Sequence, residues 1–261
     1  MSLSDFFSPI DPDKFSPKQG FLTSQLGLKA QFYTDRFPEL EEKSFDIAII
    51  GVNDDRGAVN NNGCALAADY FREQFYKLNE GAFTSKIIDL GNIIAGRAVS
   101  DTYFAVKKVV AALIKKKVIP IVLGGSQDLT YALYRAYDDL EQMVNMVAVD
   151  NKFDFGKENE SVSANSYLTQ IIINEPNNLF NYCNIGYQTY YNSQEEIDLI
   201  EKLFFDAYRL GEISNNIALA EPVFRDADLV SIDLNSVKSS ASANMVSFEP
   251  NGFNGKEICS L

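Results

Sequence analysis

Short apolar runs alternate along this chain with longer stretches whose apolar residues recur every three or four positions. Asp46-Ile-Ala-Ile-Ile-Gly51 has the signature of a buried strand closed by glycine. Over residues 64–78, Leu66, Tyr70, Phe71, Phe75 and Leu78 fall at helical spacing. Residues 86–90 read as a strand. Residues 101–117 read as a helix with Val106, Val109, Val110, Leu113 and Ile114 on one face, and Lys115 to Lys117 as its solvated end. The run 118–123 is a strand leading into Gly124-Gly125, after which Ser126 caps a helix reaching Gln142. Further strands are expected at 145–150, near 183–187 and at 228–233, with a helix over 193–208. Apolar strands alternating with amphipathic helices predict an α/β fold: three layers, α/β/α, around a mostly parallel central sheet. Pro9, Pro12, Pro17 and Pro38 break up residues 1–44, which read as an N-terminal arm over the surface of a domain spanning 45–261.

Composition narrows the chemistry. With 46% hydrophobic residues the chain can bury a sizeable core, and its net charge of −13 disfavours nucleic acid and anionic membrane surfaces. Cys64, Cys183 and Cys259 are odd in number and form no CxxC pair, which suits free thiols in a reducing compartment. No signal sequence or membrane span is apparent, so a cytoplasmic location is expected. The chain contains no histidine. Ser-His-Asp and Cys-His catalysis are therefore excluded, and so is imidazole ligation of a metal.

In a parallel α/β sheet, chemistry gathers at the carboxyl ends of strands. Three polar segments fall there: Gly124-Gly125-Ser126-Gln127-Asp128, Asp150-Asn151-Lys152-Phe153-Asp154 and Ser231-Ile232-Asp233-Leu234-Asn235. In order and placement they resemble the ureohydrolase family of arginases, agmatinases and formimidoylglutamases. That family carries Gly-Gly-Asp-His, Asp-Ala-His-x-Asp and Ser-x-Asp-x-Asp after the corresponding strands. Gly51-Val-Asn-Asp-Asp-Arg-Gly57, Ala67-Ala-Asp-Tyr-Phe-Arg72, Ile185-Gly186 and Pro250-Asn-Gly-Phe253 add to the likeness, which runs over roughly residues 45–255. Family chains usually continue for another strand and helix, so the domain is expected to be incomplete at its C-terminus.

The resemblance implies a hydrolase that uses two Mn²⁺ ions, held by two imidazoles and four carboxylates, to attack a guanidino or formimino carbon. At the matching positions Asp150, Asp154 and Asp233 remain, whereas Gln127, Lys152 and Asn235 replace two imidazoles and a carboxylate. The expectation is a vestigial metal site without cofactor, in which Lys152 serves as internal counter-ion to the three aspartates and Gln127, Lys152 and Asn235 face a ligand. Such a protein would be a pseudoenzyme: a binding or scaffold subunit for a protein partner or a small zwitterion, and a homo-oligomer. The alternative is a hydrolase of formimino or guanidino C–N bonds that uses Mn²⁺, or a single Mg²⁺ or Ca²⁺, in an altered site. Gly124 and Gly125 are expected to shape a tight turn, and Asp54, Asp55 and Arg56 to lie in a solvated loop.

Overall fold

The computed structural model describes residues 2–157, 160–243 and 248–261. The chain divides into two compact units, Met1–Leu140 and Glu141–Leu261. Strands are largely parallel, as expected, and are distributed over two sheets, one in each unit.

The first unit contains β1 (Phe7–Ser8), α1 (Leu26–Lys29), β2 (Gln31–Phe32), β3 (Ile47–Val52), α2 (Ala67–Phe75), β4 (Ile87–Ile93), α3 (Val99–Lys115), β5 (Ile119–Leu123) and α4 (Leu129–Arg135). β3 lies between β4 and β5 and pairs parallel with both. It is almost wholly apolar because both its faces are covered. On one face α3 packs Val106, Val109, Val110 and Leu113 against Ile50, Val52 and Leu90. On the other, Ile49 and Ile87 meet Tyr76 together with Ile10, Phe15 and Leu26.

The last three of those residues come from the predicted surface arm, which is therefore part of the core. β1 and β2 also pair with β4, antiparallel and parallel respectively, and so cover an edge that would otherwise be exposed. Two local expectations also change. Ser126 does not cap a helix; its hydroxyl donates to the Asp128 carboxylate, and α4 starts after Asp128. That helix ends at Arg135 and tightens into a 3₁₀ turn, Ala136–Leu140, instead of running to Gln142.

The second unit contains β6 (Val144–Val149), α5 (Tyr167–Ile173), β7 (Leu179–Tyr187), α6 (Gln194–Lys202), β8 (Asp206–Arg209), α7 (Leu210–Asn215), α8 (Glu221–Arg225), β9 (Leu229–Ile232), α9 (Ser239–Ser242) and α10 (Gly255–Ile258). All its strands are parallel, in the order β8-β7-β6-β9. The helix expected over 193–208 begins as foreseen, with Ser193 accepting from the Glu196 N–H, but stops at Lys202. Phe204 turns the chain with a φ of 57°, and residues 206–209 become β8. No helix among the described residues is long and apolar enough to cross a membrane.

Strand order places the functional loops. β7 and β8 step outward on one side of β6, whereas β9 returns to the other. β6 thus has neighbours reached in opposite directions, the topological arrangement at whose strand ends α/β sheets bind ligands. The segments 150–154 and 233–235 lie at these ends.

Candidate functional site

Asp150 follows β6 directly, and its N–H donates to the Ile185 carbonyl of β7 at 3.1 Å. Asp233 follows β9, and its N–H donates to the Val149 carbonyl of β6 at 3.0 Å. Continued strand pairing thus sets two acidic residues side by side. Asp154 completes the group from a left-handed backbone conformation (φ 56°). Aspartate tolerates that region better than most residues, and the turn brings its side chain back towards Asp150.

The carboxylates are poorly compensated. Asp150 Oδ1 accepts from the Lys152 N–H at 3.0 Å, and Asp233 Oδ1 from the Asn235 N–H at 2.7 Å. Asp150 Oδ2 is buried and accepts from no donor, and the neighbouring Asp154 carboxyl lies close enough to share a proton with Asp150. Burial, together with the charges of Asp154 and Asp233, pushes the Asp150 carboxyl well above the usual carboxylate range. Burial, then the charge of Asp233, lifts Asp154 to about 7. Burial likewise raises Asp233 against the pull of the Asn235 hydrogen bonds.

Lys152 does not take the place expected of it. It forms no ion pair with any of the three aspartates, and its ammonium lies 5.8 Å from the centre of the Tyr191 ring, a cation–π distance. The nearby Glu249 carboxylate, together with burial, pushes the Tyr191 hydroxyl up to about 12. Lys152 therefore acts on the aspartates only through space, favouring the ionised forms of Asp154 and Asp233. Gln127 belongs to the first unit, in the turn after β5.

A frame of amides outside the three motif segments' acidic positions holds the loop, and the sequence pattern did not single it out. Asn151 Nδ2 donates to the Asn235 carbonyl at 2.9 Å and to Glu249 Oε2 at 3.1 Å. Asn192 accepts from the Phe153 N–H at 2.9 Å and donates to the Asn151 carbonyl at 3.1 Å. Asn184 Nδ2 donates to the Lys152 carbonyl at 2.8 Å. All these side chains are buried, as is Glu249. The signal that could have found them is polarity where a strand or its exit should be apolar: Asn184 interrupts β7, and Glu249 precedes the Pro250–Phe253 segment.

The strand ends of the first unit offer a contrast. Asp54 accepts from the Arg56 guanidinium and, at 2.7 Å, from Thr102, while Asp128 accepts from Tyr103 and Ser126. Asp54 is thus buried and paired instead of solvated. Gly57 is required here, since a Cβ would sit 2.1 Å from the Asp128 carboxylate. Gly124 and Gly125 adopt φ values of 82° and 70°, as their role in a tight turn demands. Both of these carboxylates have donors, so the cluster reads as a loop clamp.

The donor set can be tested against a metal. Among the described residues no three acidic or cysteine side chains already converge as ligands. The two imidazoles of a binuclear site are absent from the chain altogether. Two Mn²⁺ ions in the six-ligand arrangement therefore do not fit. Asp150, Asp154 and Asp233 are hard oxygen donors with one buried oxygen unsatisfied, which suits a divalent cation in charge and chemistry, but the three carboxylates would have to draw together to ligate one.

Comparison with known proteins bears on the same residues. The family model described as Arginase matches residues 45–261. The formimidoylglutamase of Lysinibacillus sphaericus (strain C3-41) is 28% identical over 164 residues, 60% of this chain and 50% of the relative. That of Staphylococcus haemolyticus (strain JCSC1435) is 25% identical over 157 residues, 56% of this chain and 50% of the relative. The match thus spans about half the length of these curated relatives. Among solved structures, formimidoylglutamase from Bacillus subtilis superposes with a TM-score of 0.77 at 15% identity, covering 95% of this chain and 83% of its own. Trypanosoma cruzi formiminoglutamase with Mn²⁺ gives 0.72 at 19% identity, covering 86% and 82%. These structures bear out the α/β arginase-like fold. The Mn²⁺ in the Trypanosoma protein also corrects the expectation of a site without cofactor, and the unbalanced aspartates here point the same way. The extent of the family match makes the conclusion plain: this chain belongs to the arginase family.

Proposed function

We propose that Asp150, Asp154 and Asp233 hold one divalent cation and that the protein hydrolyses a formimino or guanidino C–N bond. The observation that carries this reading is the buried Asp150 Oδ2, which accepts from no donor in a cluster of three carboxylates. Had the site been remodelled to dispense with metal, Lys152 would be expected among the aspartates; instead its ammonium lies at Tyr191. Family membership and the names of the relatives support the reaction class. A bound cation would supply Lewis acidity, lowering the pKa of a water and polarising the carbon under attack.

The chain's own residues do the rest. Asn151 ties the Asp150 loop to the Asp233 loop and to Glu249, which fixes the spacing of the carboxylates. Asn184 and Asn192 hold the backbone around Lys152. The Tyr191 ring draws the Lys152 ammonium to itself, out of ion-pair range of the three aspartates. The replacement of both imidazole ligands favours a second reading, in which the cation and carboxylates bind a ligand without turning it over.

The test is protein expressed with Mn²⁺, desalted, analysed for metal and assayed with formimidoylglutamate, agmatine and arginine. About one Mn²⁺ per chain with turnover of one substrate is the expected result. One Mn²⁺ per chain without turnover selects the binding reading. No retained metal overturns the cation site.

A further inference from the structure

A cavity of about 410 Å³ lies in the second unit, lined by residues that include Tyr187, Gln188, Tyr190, Arg209, Lys238 and Asn251. Its wall is built onto the candidate site. Gln188 donates its N–H to the Asn151 carbonyl at 3.1 Å, and Asn192 donates to the carbonyls of both Asn151 and Gln188. Gln188, Tyr190 and Asn251 in turn hydrogen-bond one another, fixing the opposite ends of the wall.

The charges in the cavity are unusual for so acidic a chain. Arg209 closes β8 and Lys238 follows the 233–236 turn, so the two cations come from different strand exits. Among the described residues neither side chain forms an ion pair, although the chain carries a net charge of −13 and 36 acidic residues. The carboxylate on the same wall, Glu257, is engaged by the Asn254 N–H in a helix cap at 2.7 Å. Two cations without an ion-pair partner facing one polar space, with the Ser214 hydroxyl beside them and the Glu212 carboxylate held by the Arg209 N–H at 2.8 Å, match the needs of a carboxylate. Guanidinium supplies a planar fork and ammonium a point charge.

We propose that this cavity is a carboxylate-binding site, served by Arg209 and Lys238 and coupled to the Asp150 loop through Gln188. The carboxylate is either the tail of the molecule whose C–N bond is attacked or a free carboxylate effector. Only the first alternative rests on the hydrolase reading above.

Binding of glutarate, with inorganic phosphate as a second probe, is to be measured by calorimetry on the full chain, both metal-free and Mn²⁺-loaded. Turnover plays no part in that readout, so failure of the hydrolase reading leaves it intact. Saturable glutarate binding that weakens with salt is expected, with a loss of about tenfold or more in Arg209→Ala and again in Lys238→Ala. Arg209→Lys should recover part of the affinity. Both residues reach the surface, and circular dichroism verifies that the variants fold. Absence of glutarate binding, or binding unchanged in both variants, overturns the proposal; binding of phosphate alone does so too. If turnover is present, Arg209→Ala raising KM for a carboxylate-bearing substrate but not for agmatine identifies the tail. Glutarate altering agmatine turnover without competing identifies the effector.

Discussion

Replacing Asp154 by asparagine should make the metal-free protein more stable and the cation site weaker. Asparagine keeps the shape of the side chain and also tolerates the φ of 56° that this position adopts. What it removes is a carboxyl held near 7, against an ordinary value of 3.8, mainly by burial and then by Asp233. A difference of that size corresponds to about 4 kcal/mol when the group is fully ionised. Asp154 is strongly linked to Asp150, whose own ionisation eases once its neighbour is neutral. A net gain of about 2–4 kcal/mol is therefore the working figure, or roughly 5–10 °C in Tm for a chain of this size.

The sign follows from which state holds the proton. With its pKa raised in the fold, Asp154 binds a proton more tightly folded than unfolded. Its contribution is fully favourable below about pH 4 and is lost as pH rises through 7. The asparagine variant should thus match the parent at pH 4, pull ahead between pH 4 and 7, and keep a constant lead above that. Urea denaturation in EDTA at pH 4 and pH 8 reads the difference. Adding Mn²⁺ at pH 8 should raise the parent's Tm more than the variant's. An equal lead at both pH values, or none at pH 8, would refute the electrostatic account of the site.

Three further substitutions test separate parts of the argument. Lys152→Gln should cost no more than about 1 kcal/mol, since it loses a cation–π contact and through-space support of the aspartates but no ion pair, and should tighten Mn²⁺ binding roughly threefold or more in calorimetry by removing a nearby positive charge. Arg72→Met should destabilise the first unit by about 3–5 kcal/mol in urea titrations. It would strand the buried Asp89 carboxylate, which Arg72 holds at 2.8 Å and 2.9 Å and Tyr76 at 2.7 Å. Gly186→Ala should cost about 1–3 kcal/mol, because the residue sits at a φ of 106° and a Cβ would lie 2.6 Å from the Phe253 ring. A near-neutral result in chemical denaturation would show that β7 and the Phe253 segment can part without loss.

Elements whose apolar pattern is long enough to be unambiguous are legible in the amino-acid order alone. β3, β5, β6 and α3 lie within a residue or two of their expected places, because a strand covered on both faces and a long amphipathic helix each leave a sustained signal. β8 leaves none, since Asp206-Ala-Tyr-Arg209 is too short to show a period and continues the apolar spacing of α6. The arm misleads for a different reason. Its prolines rule out long elements, but Ile10, Phe15 and Leu26 still bury their side chains from short or irregular backbone. Proline content speaks about backbone regularity and says little about burial.

At the candidate site the same distinction decides what a sequence can reveal. Position along the chain sets Asp150, Asp154 and Asp233 on neighbouring loops, because strand order fixes where loops emerge. It does not tell where the Lys152 ammonium goes. A lysine side chain spans several ångströms and chooses its partner by local competition: three carboxylates on one side, the Tyr191 ring on the other. With the ammonium at the ring, the carboxylates are left short of positive charge. The substitution that on sequence grounds would neutralise the aspartates instead leaves them without an ion-pair partner.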